Sequence, residues 1–588
     1  MKQLLHNKHK AFRAISGLYK GKSCQSWNEL LKLEIKLSKS TILERALGDD
    51  KCFWRTVRQT IGLASDSSLP SSVTANAQEL FSTSNVAEAF SMLYQSKWQP
   101  DPQPLPHHAH AGAPKLSVHA VKKLLMKSKQ RNTSGPDNLP AWFFSTYSSE
   151  IALPVTVLFN AVLSSSRSPI QWRTQRVTPV PKISNPSALK DFRPIAISSS
   201  FGKILERFVR DRLALELGID FDTAQFGFRK ESSCTTALIH MMHHWLQALD
   251  RGNDVRAVCL DFSAAFDRLP HKIIISKLVS FGVSDWIVAY VTDFLSGRSQ
   301  FVCSPDNSFS DTVKVRSGVP QGSIIAPLLF AVAAHDLPAV NGCNITKYAD
   351  DSTVWRVIDS TAANADLQAC LDQIAQWCDD NYMLLNPLKS VELHLTNRRN
   401  VPHLNPIRCK DIEVPRVKSS KLLGVVFTDN LSFSEHIASI CTSATKTLFF
   451  LRRLKLAGAS PEDLVRVYSS YTRPLLEFAS PLWGSCITNT DDQKLESLQR
   501  RALRICGTDL SVIPTLKSRR TAAATKLFCA AVSSKSHSLS KIIPGKVNSH
   551  GRQTRSAAAG HLVIPHARTA KFKNSFIVQC ARNFNALL

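Results

Sequence analysis

The sequence predicts an α+β fold, and three features of its hydrophobic pattern support this prediction. Residues 345–355 (Ile-Thr-Lys-Tyr-Ala-Asp-Asp-Ser-Thr-Val-Trp) contain two runs rich in β-branched and aromatic residues around an acidic tip, which is typical of a β-hairpin. The apolar run 255–260 predicts a buried strand, and the small residues that follow Asp261 begin a helix. Residues from about 431 to 506 have helical spacing.

Composition limits the class of protein. At 588 residues the chain is long enough for about three or four domains, and a hydrophobic fraction of 44% is ample for globular cores. A net charge of +27 favours a polyanionic partner, and nucleic acid fits better than a membrane. No apolar run reaches the ~18 residues of a membrane span, and the start lacks a signal-peptide core. The sequence therefore predicts a soluble, intracellular protein of the nucleus or cytoplasm.

The cysteines do not predict a zinc site. Fourteen cysteines occur without any Cys-x-x-Cys pair, and the histidines do not follow them at zinc-finger spacing. Reduced, mostly buried thiols are the preferred interpretation. Residues 107–110 (His-His-Ala-His) could bind a metal, but their Pro- and Ala-rich surroundings favour a linker.

The N-terminal part of the chain is predicted to be less densely structured than the region that opens at about residue 116. Residues 1–64 are predicted to form a basic helical region. Two interpretations fit it about equally well: an arm that lies along nucleic acid, and a solvated helical surface. Residues 65–115 are mostly linker, with one amphipathic segment near 77–98 and a proline-rich stretch at 99–106.

Two cations flank a hairpin-like excursion farther along the chain. Lys182 ends a short strand, and Arg193 follows a Ser/Asn/Pro turn, so both side chains could reach the same phosphate oxygens. Each residue taken alone is also explained as a solvated surface cation.

Asp261 and the loop 317–323 have two interpretations each. A carboxylate at the end of a buried strand is stable chiefly if it meets a cation or hydrogen-bond donors, but Asp261 could equally cap the following helix. The loop contains two glycines, a proline and an amide, so its backbone can approach a ligand closely. Helix capping by Ser323 is the alternative and is compatible with that use.

The C-terminal third alternates between predicted strands and helices. A helix is predicted over about 362–381, followed by strands at 391–395 and 421–427. The last 88 residues carry fifteen lysines and arginines against the single acid Asp509. Such an imbalance indicates a nucleic-acid grip or a disordered basic tail, and the grip is favoured.

Three carboxylates could form a metal site. Asp261 ends one strand, while Asp350 and Asp351 lie at the hairpin tip, and strands separated by a helical insertion can be neighbours in one sheet. Nucleotidyl transfer uses such acids to hold two Mg²⁺ ions roughly 3.5–4 Å apart. Ordinary turn chemistry remains the alternative for the Asp-Asp pair.

The sequence resembles the reverse transcriptases of non-LTR (LINE-like) retrotransposons of the jockey and chicken-repeat type. The resemblance extends from about residue 77 to 510 and rests on motifs in a fixed order. They are Ser-Gly-Pro-Asp at 134–137, Asp-Phe-Arg-Pro-Ile at 191–195, Gln-Phe-Gly-Phe-Arg at 225–229, Leu-Asp-Phe-Ser-Ala-Ala-Phe-Asp at 260–267, Gly-Val-Pro-Gln-Gly-Ser at 318–323, Tyr-Ala-Asp-Asp at 348–351, Asn-Pro-Leu-Lys-Ser at 386–390, Leu-Leu-Gly-Val at 422–425, and two thumb-like segments at 473–484 and 495–503.

The resemblance implies a right-hand polymerase of fingers, palm and thumb. The palm would be an antiparallel sheet backed by helices. The implied divisions are fingers at 116–240, a reverse transcriptase domain (the core of fingers and palm) at 163–428, a helical thumb at 429–510 and a basic C-terminal tail at 511–588. RNA template, DNA primer or target, and dNTPs would be the partners, with no membrane.

The resemblance also implies site residues. Asp261, Asp350 and Asp351 would be catalytic and bind two Mg²⁺ ions, for which Mn²⁺ could substitute, with the Phe262 carbonyl as a further metal contact. The implied nucleotide-binding residues are Lys182, Arg193, Phe266, Gln321, Gly322 and Lys389. Among these, Lys182 and Arg193 would clamp the triphosphate and Lys389 would act as a proton donor. Phe266 would be the steric gate against a ribose 2′-hydroxyl.

One departure from the family pattern concerns the endonuclease. Related elements usually encode one ahead of the polymerase, whereas the 115 residues before the matching core are too few and lack its constellation. We therefore expect nicking from another source, or its loss from this copy. The alternatives to a DNA polymerase are an inactive RNA-binding remnant, an RNA-templated RNA polymerase and a maturase. Intact acids argue against the first, Phe266 against the second, and the thumb motifs against the third.

Overall fold

The computed structural model describes residues 54, 73–75, 78–80, 83–98, 105, 112–128, 134–183, 186–218, 221–304, 308–340, 342–360, 363–398, 404–509, 513–547 and 560–588. The predicted basic region 1–64, apart from Trp54, lies outside these residues. The same holds for the histidine-rich tract 107–110 and most of the proline-rich stretch 99–106.

Short strands alternate with helices through the described chain. The strands are β1 (Val73–Ala75), β2 (Gln78–Leu80), β3 (Thr174–Pro181), β4 (Phe192–Ile197), β5 (Asp254–Leu260), β6 (Ser299–Val302), β7 (Val313–Lys314), β8 (Asn344–Tyr348), β9 (Asp351–Ile358), β10 (Val391–Leu395), β11 (Arg408–Cys409), β12 (Ile412–Glu413), β13 (Arg416–Val417), β14 (Ser419–Leu422) and β15 (Val425–Thr428).

Helices account for most of the remaining described residues. They are α1 (Thr83–Gln95), α2 (Val118–Met126), α3 (Ala141–Thr146), α4 (Ser148–Ser165), α5 (Ile170–Arg173), α6 (Ser200–Leu217), α7 (Cys234–Asp250), α8 (Ala265–Arg268), α9 (His271–Ser280), α10 (Asp285–Leu295), α11 (Ala326–Ala333), α12 (Ala363–Asp380), α13 (Ser434–Leu456), α14 (Pro461–Val467), α15 (Arg473–Glu477), α16 (Ser480–Trp483), α17 (Asn489–Cys506), α18 (Leu516–Ser533), α19 (Ala570–Lys573) and α20 (Phe576–Leu587). The mixed content confirms the α+β prediction.

The chain divides into two compact units. The smaller contains, among the described residues, Trp54, Ile437–Phe478 and Asn489–Arg519. Its helices share a core that includes Leu448, Leu464 and Leu503. The larger unit contains the described residues of Ser67–His436, Ala479–Thr488 and Arg520–Leu588. Helices α13 to α17 confirm the predicted helical character of residues 431–506.

The larger unit is built on a five-stranded sheet with the order β13-β10-β5-β9-β8. Its neighbours are antiparallel except for β10 and β13, so the antiparallel sheet implied by the resemblance has one parallel pair at its edge. The central strand β5 is buried at six of its seven positions. Helix α7 packs against β5 and β8, and α12 packs against β9. A strand covered in this way needs residues that tolerate burial on both faces, which explains the mostly apolar run at 255–260. Its one cation, Arg256, is buried in an ion pair with Glu392 at 2.6 Å.

A second sheet has the order β4-β3-β6-β7 and confirms the predicted hairpin at 172–197. Helix α1 packs against it through Phe90, whose ring lies 5.1 Å from that of Phe192 on β4. Tyr94 and Val177 belong to the same apolar cluster. This packing brings the residues that follow α1 close to the β3–β4 hairpin.

Helix α4 is long and apolar enough to cross a membrane, judged by length and composition alone. The sequence predicts no membrane-spanning run. Serines interrupt the apolar residues of α4, but its mean hydropathy is still high enough for a membrane span. Its buried residues Val155, Phe159 and Leu163 belong to the main core of the larger unit. This burial is typical of a core helix.

The predicted strand at 421–427 is wrong, because two strands and a tight turn replace it. β14 pairs with β15 in an antiparallel hairpin, with Leu422 opposite Val425. The turn residues Leu423 and Gly424 have φ values of 44° and 91°. Positive φ at both central residues is the geometry that closes a two-residue hairpin, and glycine adopts it readily.

The C-terminal residues fold onto the larger unit. Helices α16, α19 and α20 pack against α7. The Asp250 carboxylate accepts the N–H groups of Arg568 and Thr569 at 3.0 and 2.6 Å. The Glu231 carboxylate accepts hydroxyl hydrogens from Ser534 and Ser536 at 2.7 and 2.6 Å. Two acids from the middle of the chain therefore fasten its last segments.

Candidate active site

Asp261 and Asp351 lie side by side where two neighbouring strands of the central sheet, β5 and β9, respectively end and begin. Asp261 directly follows β5, and Asp351 is the first residue of β9. Leu260 pairs with Ser352 in the antiparallel register, so the next position places Asp261 opposite Asp351. Residues directly opposite each other in an antiparallel pair project to the same face. The expectation that these strands are neighbours is therefore confirmed.

Asp350 lies at the tip of the predicted hairpin. Tyr348 pairs with Asp351, which leaves Ala349 and Asp350 as the two-residue turn between β8 and β9. Burial raises the pKa of Asp350, and the negative charge of Asp261 raises it further. The Asp351 side chain is partly exposed, yet loss of hydration and the charges of Asp350 and Asp261 raise its pKa to about 6. The three acids therefore share one electrostatic environment.

A loop between α12 and β10 fastens the backbone of Asp261. The Asn386 N–H donates to the Asp261 carbonyl at 2.8 Å, and the Asp261 N–H donates to Ser390 Oγ at 3.2 Å. Ser390 is fully buried and donates in turn to the Asn386 carbonyl. The same loop carries Lys389, which brings this predicted residue to the carboxylates.

Asp261 and Asp351 line one cavity. Its volume is about 160 Å³, and Asp261, Asp351 and Lys389 are among the residues that line it. Lys421, on β14, also lines it. Two acids and two lysines therefore border a single space, which suits a ligand that carries both negative charge and a bound cation.

The donor set fits a divalent metal. Within the described part of the chain, no three His, Cys, Asp or Glu side chains are already arranged to hold one ion. Mg²⁺, however, is usually held by one or two carboxylates and retains several waters. The raised pKa values of Asp350 and Asp351 mark concentrated negative charge that a cation would relieve.

The backbone around Phe262 pairs with the segment before β10. Phe262 forms an isolated antiparallel bridge with Leu385. The hydrogen bonds of this bridge are made by the Asp261 carbonyl and by the Ser263 N–H, which donates to the Leu384 carbonyl at 2.8 Å. The Phe262 carbonyl is not used in this bridge, because adjacent peptide groups of an extended chain face opposite sides.

Cations from several segments meet near Lys182. Lys182 follows β3, and its N–H donates to the Asp191 carbonyl at 2.7 Å; Arg193 lies on the paired strand β4. Burial lowers the pKa of Lys182, and the charges of Lys97, Arg193 and Lys389 lower it further. The charge of Arg193 partly offsets the rise in the pKa of Asp350. The predicted triphosphate residues are therefore close enough to interact with one another and with an acid of the hairpin.

Phe266 is held in a fixed position. It lies in the single turn α8, and its ring stacks on that of Phe330, with centroids 4.5 Å and planes 11° apart. The ring of Phe228 meets it edge-on at 6.4 Å. Phe266 therefore contributes to core packing while part of its ring remains accessible.

The loop with Gln321 and Gly322 is pressed against β4. The Ala196 N–H donates to the Gln321 carbonyl at 2.7 Å, and Gln321 Nε2 donates to Asp267 at 2.9 Å. Gly322 has a φ of 129°, and a Cβ there would lie 2.4 Å from the Ala196 carbonyl oxygen. Ser323 Oγ accepts the Ala326 N–H at the start of α11 at 3.1 Å, although the N-cap residue of this helix is Ile325 and not Ser323 as predicted.

Sequence reasoning gave no role to Asp267 and Lys97. Lys97 Nζ lies 3.7 Å from the Asp267 carboxylate, which also holds Gln321. Burial raises the pKa of Asp267. Asp267 could have been suspected from its place beside Phe266 in a recognised motif. No local pattern marks Lys97, because it reaches the site only through the packing of α1.

Residues 180–427 match the family described as reverse transcriptase (RNA-dependent DNA polymerase). This region is similar to the reverse transcriptases. It includes Asp261, Asp350 and Asp351 and both strands that carry them.

The chain is similar to proteins of mobile elements of Drosophila. The chain is 28% identical over 402 residues to the probable RNA-directed DNA polymerase from transposon BS of Drosophila melanogaster, covering 66% of this chain and 44% of that protein. It is 27% identical over 410 residues to the RNA-directed DNA polymerase from mobile element jockey of Drosophila funebris, covering 66% and 43%. The chain thus spans less than half the length of these relatives.

One solved structure is distantly similar to part of this chain. A structure of apo telomerase from Candida tropicalis, truncated from its C-terminal domain, is 11% identical to this chain. The similarity covers 50% of this chain and 60% of that one, with a TM-score of 0.33. That score is too low to indicate a common overall fold.

Proposed function

We propose that the chain is an RNA-directed DNA polymerase of the non-LTR retrotransposon type, which extends a primer 3′-hydroxyl with dNTPs on an RNA template. The observation that carries the proposal is the convergence of Asp261, Asp350 and Asp351 at one edge of the central sheet. All three acids lie inside the region that matches the reverse transcriptase family.

The proposal assigns the parts of a right-hand polymerase to this chain. The central sheet β13-β10-β5-β9-β8 would be the palm, and the β4-β3-β6-β7 sheet with its helices would be the fingers. The helices of residues 429–510 would form the thumb. The basic residues 511–588 would add a nucleic-acid grip, since they hold thirteen lysines and arginines.

The acids and cations would divide the chemistry between them. When bound, two Mg²⁺ ions would activate the primer 3′-oxygen and neutralise the leaving pyrophosphate. Asp261, Asp350 and Asp351 would hold them, together with the Phe262 carbonyl. Lys182 and Arg193 would orient the triphosphate, and Lys389 would donate a proton to the leaving group. Positioning and charge neutralisation account for most of the catalysis in such a reaction.

Selection of the nucleotide would fall to Phe266 and its neighbours. The Phe266 ring stacks on Phe330, so it would exclude a ribose 2′-hydroxyl sterically. Gln321 and Gly322 would line the nucleotide and template site. An intracellular place of action, in the nucleus or cytoplasm, accords with these substrates.

The decisive test is primer extension on poly(rA)/oligo(dT) with dTTP and Mg²⁺. The wild-type chain should incorporate dTTP. The double variant Asp350→Asn/Asp351→Asn should lose at least about a thousandfold in rate, because it keeps the shape of both side chains but removes the charge that holds the metal.

A matched control is the acid pair Asp379 and Asp380 at the end of α12. Both are exposed, and Asp379 pairs with Lys410 at the surface. Asp379→Asn/Asp380→Asn should extend primers at the wild-type rate. A folded wild type that binds the template but incorporates nothing would refute the proposal in favour of the RNA-binding remnant. An active Asp350/Asp351 variant would refute the site assignment alone.

A further inference from the structure

The turn that carries Asp350 has a backbone conformation that needs support. Ala349 has a φ of 58°, in the left-handed region, although it bears a side chain. Two-residue hairpin turns require such φ values, and glycine, asparagine or aspartate usually supply them. For alanine the conformation is unfavourable, because the Cβ comes too close to the following carbonyl oxygen. Contacts from elsewhere must therefore hold this turn in place.

Gln225 supplies one of those contacts. Its Oε1 accepts the Ala349 N–H at 3.0 Å and the Gly227 N–H at 2.8 Å. Both partners are backbone donors, so the oxygen of the amide must face them, whichever way the amide is drawn. Gln225 is only 1% exposed, which protects these bonds from competing water.

The backbone on either side of Gln225 is hydrogen-bonded to β8. The Lys347 N–H donates to the Ala224 carbonyl at 2.8 Å, and the Phe226 N–H donates to the Lys347 carbonyl at 2.7 Å. The buried Lys347 ammonium lies 2.7 Å from the Asp222 carboxylate. Two backbone bonds and an ion pair thus fix the distance between Gln225 and the turn.

Gly227 allows this close approach. A Cβ at that position would lie 2.5 Å from the Ala349 nitrogen and 3.0 Å from Gln225 Oε1. Any other residue would therefore push the segment away from the turn. The requirement for glycine and the glutamine amide are two independent signs that residues 225–227 are fitted to the turn itself.

We propose that Gln225 is a positioning residue: its amide oxygen fixes the Ala349–Asp350 turn and so sets the direction in which Asp350 and Asp351 leave the sheet. The catalytic half of this proposal rests on the proposed polymerase function. Its structural half concerns the hairpin alone and can be tested without any activity.

Hydrogen exchange of the whole chain tests the structural half. Gln225→Met fills the same volume but has no acceptor, so amide exchange in a peptide covering residues 344–355 should accelerate at least about tenfold. Gln225→Glu keeps an acceptor at the same place and should retain wild-type protection. If Gln225→Met does not fold, Gln225→Asn, which is one methylene too short to reach, replaces it.

Gln368 provides a matched control. Its side chain also holds backbone groups, accepting the Arg408 N–H at 2.9 Å and donating to the Arg408 carbonyl at 2.8 Å. Gln368→Met should loosen residues near 408 and leave exchange at 344–355 unchanged. Wild-type exchange at 344–355 in Gln225→Met, or equal acceleration there in Gln368→Met, would overturn the proposal.

Primer extension tests the catalytic half. Gln225→Met should lower kcat at least tenfold, while the KM for dTTP and the Kd for poly(rA)/oligo(dT) stay within twofold of wild type. A loosened turn with unchanged kcat would overturn the positioning role. An inactive wild type would refute the polymerase function instead, and the exchange results would still decide whether Gln225 holds the turn.

Discussion

The ring of Phe266 shows how one residue can serve both packing and selectivity. Its stacking on Phe330 fixes the ring plane, and its edge contact with Phe228 restricts the other side. A gate discriminates by steric exclusion only if it cannot move aside, so this packing is what the proposed role requires.

Phe266→Ala should relax discrimination against ribonucleotides. Removing the ring opens space for a 2′-hydroxyl, so the ratio of kcat/KM for dTTP to that for UTP should fall about 10- to 100-fold. Single-nucleotide extension with each substrate measures this ratio. Phe309→Ala, at an exposed ring, should leave the ratio unchanged. A Phe266→Ala chain that still rejects UTP as strongly as wild type would remove the gate assignment.

Single residues differ in how far the sequence reveals them. Asp350 and Asp351 could be singled out because the strand-turn-strand pattern around them is local. Asp261 could be joined to them because a buried strand that ends in a carboxylate is unusual. Lys97 could not be found, since its approach to Asp267 depends on the packing of α1 against the second sheet.

At the scale of elements, short turns inside apolar runs are the hardest to predict. The hairpin at 345–355 was predicted because polar residues mark its tip. The hairpin at 419–428 was missed because its turn, Leu423 and Gly424, continues the apolar run. Its only local signal is the glycine, which alone does not distinguish a turn from a strand interior.

Helix α7 has partly buried histidines that should make the protein sensitive to acid. The His240 and His244 rings lie 4.8 Å apart, and His243 faces Phe572. Burial lowers the pKa of His240 to about 3 and that of His243 to about 4. In the unfolded chain these groups titrate near pH 6.5, so protonation favours unfolding as the pH falls below that value.

We expect the free energy of unfolding to decrease between pH 6.5 and pH 5 by about 1–2 kcal/mol for each of these two histidines. Urea midpoints at pH 8.0, 6.5 and 5.0 measure the decrease. His240→Asn/His243→Asn should flatten this pH dependence, whereas His566→Asn, at an exposed position, should not. An unchanged slope in the double variant would show that other groups carry the acid sensitivity.

At the scale of the whole molecule, positive charge dominates. The net charge is +27, and Arg500, Arg501 and Arg504 are exposed on α17 while Leu503 faces the core of the smaller unit. This division gives the helix a packing side and a cationic side. The amount of charge can be predicted from composition, but the face that presents it depends on the fold.

Arg500→Gln/Arg501→Gln/Arg504→Gln should weaken binding to poly(rA)/oligo(dT). If each arginine neutralises one phosphate, the slope of log K against log salt should become shallower by about 2–3. Fluorescence anisotropy between 50 and 300 mM KCl measures the slope. Lys410→Gln is the control, because Lys410 already pairs with Asp379. A triple variant with the wild-type slope would place the phosphate contacts elsewhere.

The packing of the C-terminal helix α20 on α7 affects how the chain folds during its synthesis on the ribosome. Phe576 and Ile577 of α20 share a small cavity with Ile239 and Met242 of α7. At a translation rate of about 5–20 residues per second, roughly 20–60 s separate the emergence of these two helices. During that interval the side of α7 that carries Ile239 and Met242 lacks its native cover, so we expect nascent chains to depend on chaperones until α20 has been synthesised.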